Sequence, residues 1–168
     1  MDVPVDSLEV ATQGQDAYVR VGGRGSFKGG PALKQFGMAA LDRGCRRILV
    51  DMTQCTGMDS TFMGVLAGLA VTARKRNSEI VLRSVSVKNS TLLRTLGLIQ
   101  LVTVESDVKT PAPEGAVLET STDKRTLTET MLDAHETLVA VAPGNFPKFK
   151  DVLTYLKEDL NSQTGSER

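Results

Sequence analysis

Residues 46 to 69 constrain the fold of this chain more than any other stretch. Ile48, Leu49 and Val50 form a short apolar run that predicts a buried strand closed by Asp51. Residues 51 to 59 then form a polar loop, with Gly57 near its end. Asp59 stands where a helix N-cap belongs, and Phe62, Val65, Leu66 and Leu69 follow at helical spacing. Ser60 therefore falls in the first turn of a helix that ends a strand-loop-helix unit. Free backbone N–H groups and the positive end of the helix dipole favour added negative charge there. A hydroxyl at this point can take a phosphate at low cost.

The stretch resembles the STAS domain, the family of bacterial anti-sigma factor antagonists. The resemblance is carried by Ile48 to Asp51, by Met58-Asp59-Ser60-Thr61, and by Gly64-Val65-Leu66, and it extends from about residue 8 to about residue 106. It implies a phosphorylated Ser at position 60, with Thr61 as the reserve acceptor. It also implies a partner-binding loop and helix made by Asp51, Asp59, Ser60, Thr61, Phe62 and Gly64, exposed at one edge of the domain. One departure stands out: the family often has Gly two positions after the Ser, and this chain has Phe62.

The rest of the chain fits an α/β domain. Leu8 to Thr12 and Ala17 to Val21 alternate and predict a hairpin around Gly14. The run from Gly22 to Gly30 has the glycines of a phosphate loop without the spacing of either nucleotide fingerprint, so a flexible turn or bulged edge strand is the better reading. Pro31 opens a helix that ends near Gly44, and a second helix ends in Arg74-Lys75-Arg76. Ile80 to Leu82 predicts a strand. Ser84 to Ser90 reads as a loop, Leu92 to Leu96 as a short helix, and Leu101 to Val104 as the last strand. Strands and helices that alternate in this order argue an α/β fold. The resemblance implies the same, a STAS-like mixed β-sheet packed with helices.

Beyond this the composition shifts. Pro111, Pro113 and Gly115 mark a linker over 107–124, after a STAS domain over 1–106. A C-terminal helical hairpin is expected over 125–160, broken at Pro143-Gly144-Asn145, with a disordered tail over 161–168. Phe146, Phe149, Leu153 and Leu156 recur at intervals of three and four. That seam is too short for a free-standing coiled coil. It predicts that the hairpin folds back on the domain or pairs with a second copy.

Composition excludes several functions. Lys+Arg and Asp+Glu number 20 each, with no long basic run, and Trp is absent, which argues against nucleic acid. Residues 1 to 110 hold 14 basic and 10 acidic residues, net +4, and the remainder 6 and 10, net −4. No 20-residue apolar span or signal-peptide core is present, so a cytoplasmic protein without direct membrane insertion is expected. Cys45 and Cys55 make neither a disulfide framework nor a metal site. No metal and no cofactor are expected.

A serine hydrolase needs a base beside its nucleophile, and the only His is His135, in the hairpin and read as a surface or interface residue. Residues 58 to 62 also lack the Gly-x-Ser-x-Gly elbow. The expectation is a non-enzymatic regulatory protein. The resemblance implies partner switching with an anti-sigma factor or Ser/Thr kinase, controlled by phosphorylation of Ser60. Two alternatives stay open: a constitutive STAS interaction subunit, for example of a membrane transporter ATPase complex, or a small-ligand-sensing STAS domain. A homodimer through the hairpin is a further expectation.

Overall fold

A computed structural model describes residues 5–106 and 113–165 of the chain. Strands β1 (Ser7–Gln13) and β2 (Asp16–Gly25) form the expected hairpin, with Leu8 opposite Val21 and Val10 opposite Val19. A short 3-10 turn at Phe27–Gly29 leads into α1 (Gly30–Asp42), which carries Pro31 in its first turn, where the missing N–H costs nothing. Then come β3 (Arg47–Asp51), β4 (Cys55–Met58), α2 (Ser60–Lys75), β5 (Glu79–Arg83), α3 (Val87–Thr95) and β6 (Thr103–Glu105). The chain continues through β7 (Ala116–Val117), α4 (Lys124–Val141), a 3-10 turn at Pro143–Asn145, and α5 (Phe146–Gly165).

The sheet is mixed, in the order β6-β5-β3-β2-β1-β7, with β4 paired to β2 off this path. Pairs β2–β3, β3–β5 and β5–β6 are parallel, and β1 is antiparallel to both its neighbours. Side chains alternate across a strand. Val19, Val21, Ile48, Val50, Ile80 and Leu82 therefore share the core with α1 and α2. The opposite face carries a row of alternating charge. Glu9 pairs in register with Arg20, Arg20 with Asp51, Asp51 with Arg83, and Arg83 with Glu105. Arg20 reaches Glu9 at 3.2 Å and Asp51 at 3.6 Å, and Arg83 reaches Glu105 at 3.1 Å. Opposite charges facing each other across strands help to hold the register.

Five local expectations change. The loop after β3 contains a strand, β4, because the backbone of Gly23 to Gly25 extends β2 far enough to pair with residues 55 to 58. α3 begins at Val87 because Ser86 accepts a hydrogen bond from the Asn89 N–H, a cap that the loop reading of 84–90 overlooked. The last strand starts at Thr103, not Leu101, whose N–H turns back to the Leu98 carbonyl. Within the expected linker, Ala116 and Val117 add an edge strand to β1, while 107–112 lies outside the described residues. α5 runs on to Gly165, where a tail was expected from Asn161, with Gln163 bonded to Asp159 at 3.0 Å. Residues 166–168 lie outside the described residues.

The hairpin folds back on the domain. α4 lies on α2 and α1, and α5 packs on α4. Asp123 caps α4, accepting from the Thr126 N–H at 2.9 Å and the Thr126 hydroxyl at 2.6 Å. These bonds hold its carboxyl below the ordinary carboxylate range. A depressed folded value adds stability above the unfolded value and loses it as pH falls through the folded one. The first turn of α4 is therefore expected to loosen as pH drops below about 4, the unperturbed Asp value. Amide exchange at Thr126, followed from pH 6 to pH 3, should rise in that window before β3 and β5 are affected. Exchange that stays flat until the whole domain unfolds would contradict it.

Candidate functional site

Asp59 and Ser60 stand at the head of α2, and their surroundings are built from three elements. Asp59 has extended backbone geometry, as an N-cap requires, and its Oδ1 accepts from the Phe62 N–H at 2.9 Å. Its other oxygen accepts from the Phe27 N–H at 2.7 Å, while its own N–H donates to the Gly25 carbonyl at 2.9 Å. The carboxylate therefore fastens the start of α2 to the turn before α1, and the backbone N–H of the same residue ties it to the end of β2. The cap reading of Asp59 holds, and it has a second backbone partner that helix spacing could not reveal.

Ser60 is half-buried, and its hydroxyl lies 2.9 Å from Nε2 of His135 on α4. His135 is itself buried. Its Nδ1 sits 2.6 Å from the Met131 carbonyl. A carbonyl can only accept, so Nδ1 carries the hydrogen, and in the neutral ring Nε2 accepts from the serine hydroxyl. The ring meets Phe149 of α5 edge-on, with centroids 5.0 Å apart. His135 is thus an interface residue, as one of its two expected readings had it, but it is no surface residue.

A Ser–His pair has the first two parts of a nucleophilic site. The third place is held by a backbone carbonyl, which lacks the charge with which an aspartate stabilises an imidazolium. Packing against Phe149 and burial within the hairpin make this arrangement a held hydroxyl. Ser60 is therefore not on an open edge of the domain, where the resemblance placed it, because α4 covers it.

The close approach of α4 has a visible cause. Ser60, Gly64 and Gly68 fall one turn apart on one side of α2. A Cβ on Gly64 would run into the backbone carbonyl of Ala134, so only glycine lets the two helices meet there. Gly64 thus serves contact within the chain, not an exposed partner face. Small residues at positions 60, 64 and 68 were the sequence signal that another element packs closely here, but they carry no information that the element is α4 or that its residue is His135.

The other expected site residues scatter. Phe62 has no exposed surface, and its ring fills the core against Gly25, where a Cβ would approach the ring to 2.7 Å. It faces no partner. Gly25, the last residue of β2, thereby finds a role: the lack of a side chain there makes room for the Phe62 ring. Thr61, expected as the reserve acceptor, is buried at 4% exposure, more deeply than the half-buried Ser60. Asp51 accepts from the Thr53 N–H and hydroxyl at 3.0 and 2.6 Å and pairs with Arg20. Its bonds belong to the charged row at the end of β3 and do not extend to Ser60.

The hairpin seam is satisfied within the chain. Leu153 and Leu156 are buried and Phe149 packs against the core, but Phe146, expected in the same seam, is 50% exposed and stands outside it. Asn145 is buried and donates to the carbonyls of Leu96 and Leu138 at 3.0 and 2.9 Å, which locks the turn between α4 and α5 to the domain. Cys45 and Cys55 are free and buried, and burial pushes the Cys55 thiol up. Among the described residues no cluster of three or more metal-ligating side chains forms, and no helix is long and apolar enough to cross a membrane.

The family model described as "Mlab, STAS domain" matches residues 8–103, a span that holds α2 and stops before the hairpin. No curated protein matches the chain. Among solved structures, the anti-sigma factor antagonist SpoIIAA in its unphosphorylated form is 12% identical with a TM-score of 0.52, covering 61% of this chain and 90% of that one. The Bacillus cell fate determinant SpoIIAA in its phosphorylated form is 13% identical with a TM-score of 0.52, covering 61% and 92%. A sulfate transporter family protein from Wolinella succinogenes is 19% identical with a TM-score of 0.51, covering 59% and 82%. At these identities the likeness is one of fold.

Proposed function

The chain belongs to the STAS domain family, and from that premise we propose that it is a non-enzymatic partner-switching module controlled by phosphorylation of Ser60. The observation that carries this reading is the place of Ser60: a hydroxyl in the first turn of α2, held at the head of the helix by the Asp59 cap. A phosphate there gains from the helix dipole about 0.3–1 kcal/mol at an exposed site. It also brings roughly two negative charges and three acceptor oxygens to the head of α2, where the hydroxyl meets His135. The partner class is a Ser/Thr kinase of the anti-sigma type. SpoIIAA, a protein of like fold, is an anti-sigma factor antagonist with an unphosphorylated and a phosphorylated form, which agrees with this choice.

Ser60→Ala is expected to keep binding the partner of the unmodified state and to lose all response to the kinase. Ser60→Asp weakens binding only in part, because one carboxylate has less charge and fewer acceptors than a phosphate. The test is phosphopeptide mapping over residues 55 to 74 of protein purified from its native host. Phosphate found only elsewhere, or Ser60→Ala switching normally, would sink the reading.

A second reading, a constitutive interaction subunit, draws on the bond between Ser60 and His135, which already occupies the hydroxyl. The STAS likeness to a sulfate transporter family protein is consistent with it. On that reading Ser60→Ala leaves partner binding and its regulation untouched. A homodimer through the hairpin would have to use surface other than Leu153 and Leu156, which are spent within the chain.

A further inference from the structure

We propose that the α4–α5 hairpin is a tethered cover that occupies the head of α2 in cis, so that an enzyme or partner reaching Ser60 must first displace it. The proposal rests on Ser60 being the control residue, and it adds a lock to that residue. The serine hydroxyl is engaged by His135, and the helix bearing His135 lies directly over Gly64. A kinase must bring its own base and a phosphate donor in line with that hydroxyl. With α4 in place, that approach is taken.

The contact has the character of an exchangeable interface. The fully buried residues of α4 are Thr128, Thr130, Ala134, His135 and Leu138, so Leu138 is its one fully buried large apolar side chain, with Leu127, Met131, Leu132 and Val139 half-buried. By contrast α2 buries Phe62, Met63, Val65, Leu66 and Leu69. A cleft of about 560 Å³ stays open between α4 and the pair α1–α2, lined by Met38, Val65, Leu69 and Val141, and bridged by an exposed ion pair between Lys34 and Asp133. Interfaces that open are more polar and less fully packed than cores. α5 adds Phe149, which packs against the core, and the Lys148 bond to the Thr95 carbonyl at 3.2 Å. Leu153 and Leu156 give the hairpin an apolar seam of its own, so the two helices can leave as a unit once the Asn145 and Lys148 bonds to the carbonyls of Leu96 and Thr95 are given up.

The experiment places a thiol where the hydroxyl is. Ser60→Cys in the full chain is labelled with a neutral maleimide, and the rate at each cysteine is read by peptide mass spectrometry. Thr91→Cys, on the exposed side of α3, sets the uncovered rate. A helix N-terminus favours the thiolate, so slow labelling at position 60 reports coverage and not poor reactivity. The buried Cys45 and Cys55 report opening of the domain itself.

The expected result is labelling at position 60 at least tenfold slower than at position 91. Adding either Gly64→Ala or Phe149→Asp should raise it toward the uncovered rate while Cys45 and Cys55 stay unlabelled. Position 60 reacting as fast as position 91 overturns the proposal. So does a rate that neither hairpin variant moves. Simultaneous labelling of Cys45 and Cys55 overturns it too, because the hairpin is then an inseparable part of the core. No phosphate is involved, so the cover can fail while phosphorylation of Ser60 stands, and the reverse.

Discussion

Gly64→Ala is expected to destabilise the protein, although the same change in an open helix does the opposite. Gly in a helix interior costs about 1 kcal/mol relative to Ala, so an unobstructed substitution gains roughly that much. At Gly64 the added methyl meets the Ala134 carbonyl, a backbone atom that can give way only if α4 moves. Overpacking of this kind costs about 1–3 kcal/mol. The cost should fall on the hairpin: amide protection of α4 and α5 drops, the bond between Ser60 and His135 breaks, and β3 and β5 stay protected. Gly68→Ala is the control. Its methyl would sit 3.9 Å from Thr137, an ordinary contact, so it should stabilise. Opposite signs for two glycines one turn apart would locate the helix crossing at Gly64. Stabilisation by both would mean that α4 does not lie where the structure puts it.

Phe62→Ala is expected to cost about 3–5 kcal/mol, the range for deleting a buried aromatic ring. The ring has no exposed surface and is walled by Gly25 and the core beneath α2, so its loss leaves a cavity that the backbone of β2 cannot readily fill. A domain of this size has only about 5–15 kcal/mol in hand, so the variant should unfold at markedly lower denaturant with an unchanged m-value. Phe62→Leu should recover much of the loss. A loss below about 0.5 kcal/mol for the alanine variant, the range of ordinary surface substitutions, would show the ring to be a surface group after all. That outcome would return Phe62 to the partner face.

Much of the fold was legible because its signals are local. The apolar run at 48–50, the cap at Asp59 and the helical spacing of Phe62, Val65, Leu66 and Leu69 each depend on residues a few positions apart. The same holds for the β1–β2 hairpin, where alternation and one turn residue suffice. β4 and β7 were missed because neither has a pattern of its own: four and two residues become strands only when β2 and β1 offer free backbone groups beside them. α5 outran its expected end because 161–165 carry no periodic signal, and propagation of an existing helix needs none.

The candidate site divides in the same way. Residues 46 to 69 by themselves determined that a serine would stand in the first turn of a capped helix, because spacing, capping and dipole act within one segment. Whether that serine would be free depended on residue 135, 75 positions away, and on the path of the intervening chain. No periodicity links the two. Only the packing of α4 on α2, admitted at Gly64 by the lack of a side chain, brought His135 to the hydroxyl and turned an expected open edge into a covered one. Tertiary structure likewise drew Asp51 into the charged row, and Thr61 and Phe62 into the interior. A helix fixes which residues share a face, but the neighbours of that face are set by where the rest of the chain goes.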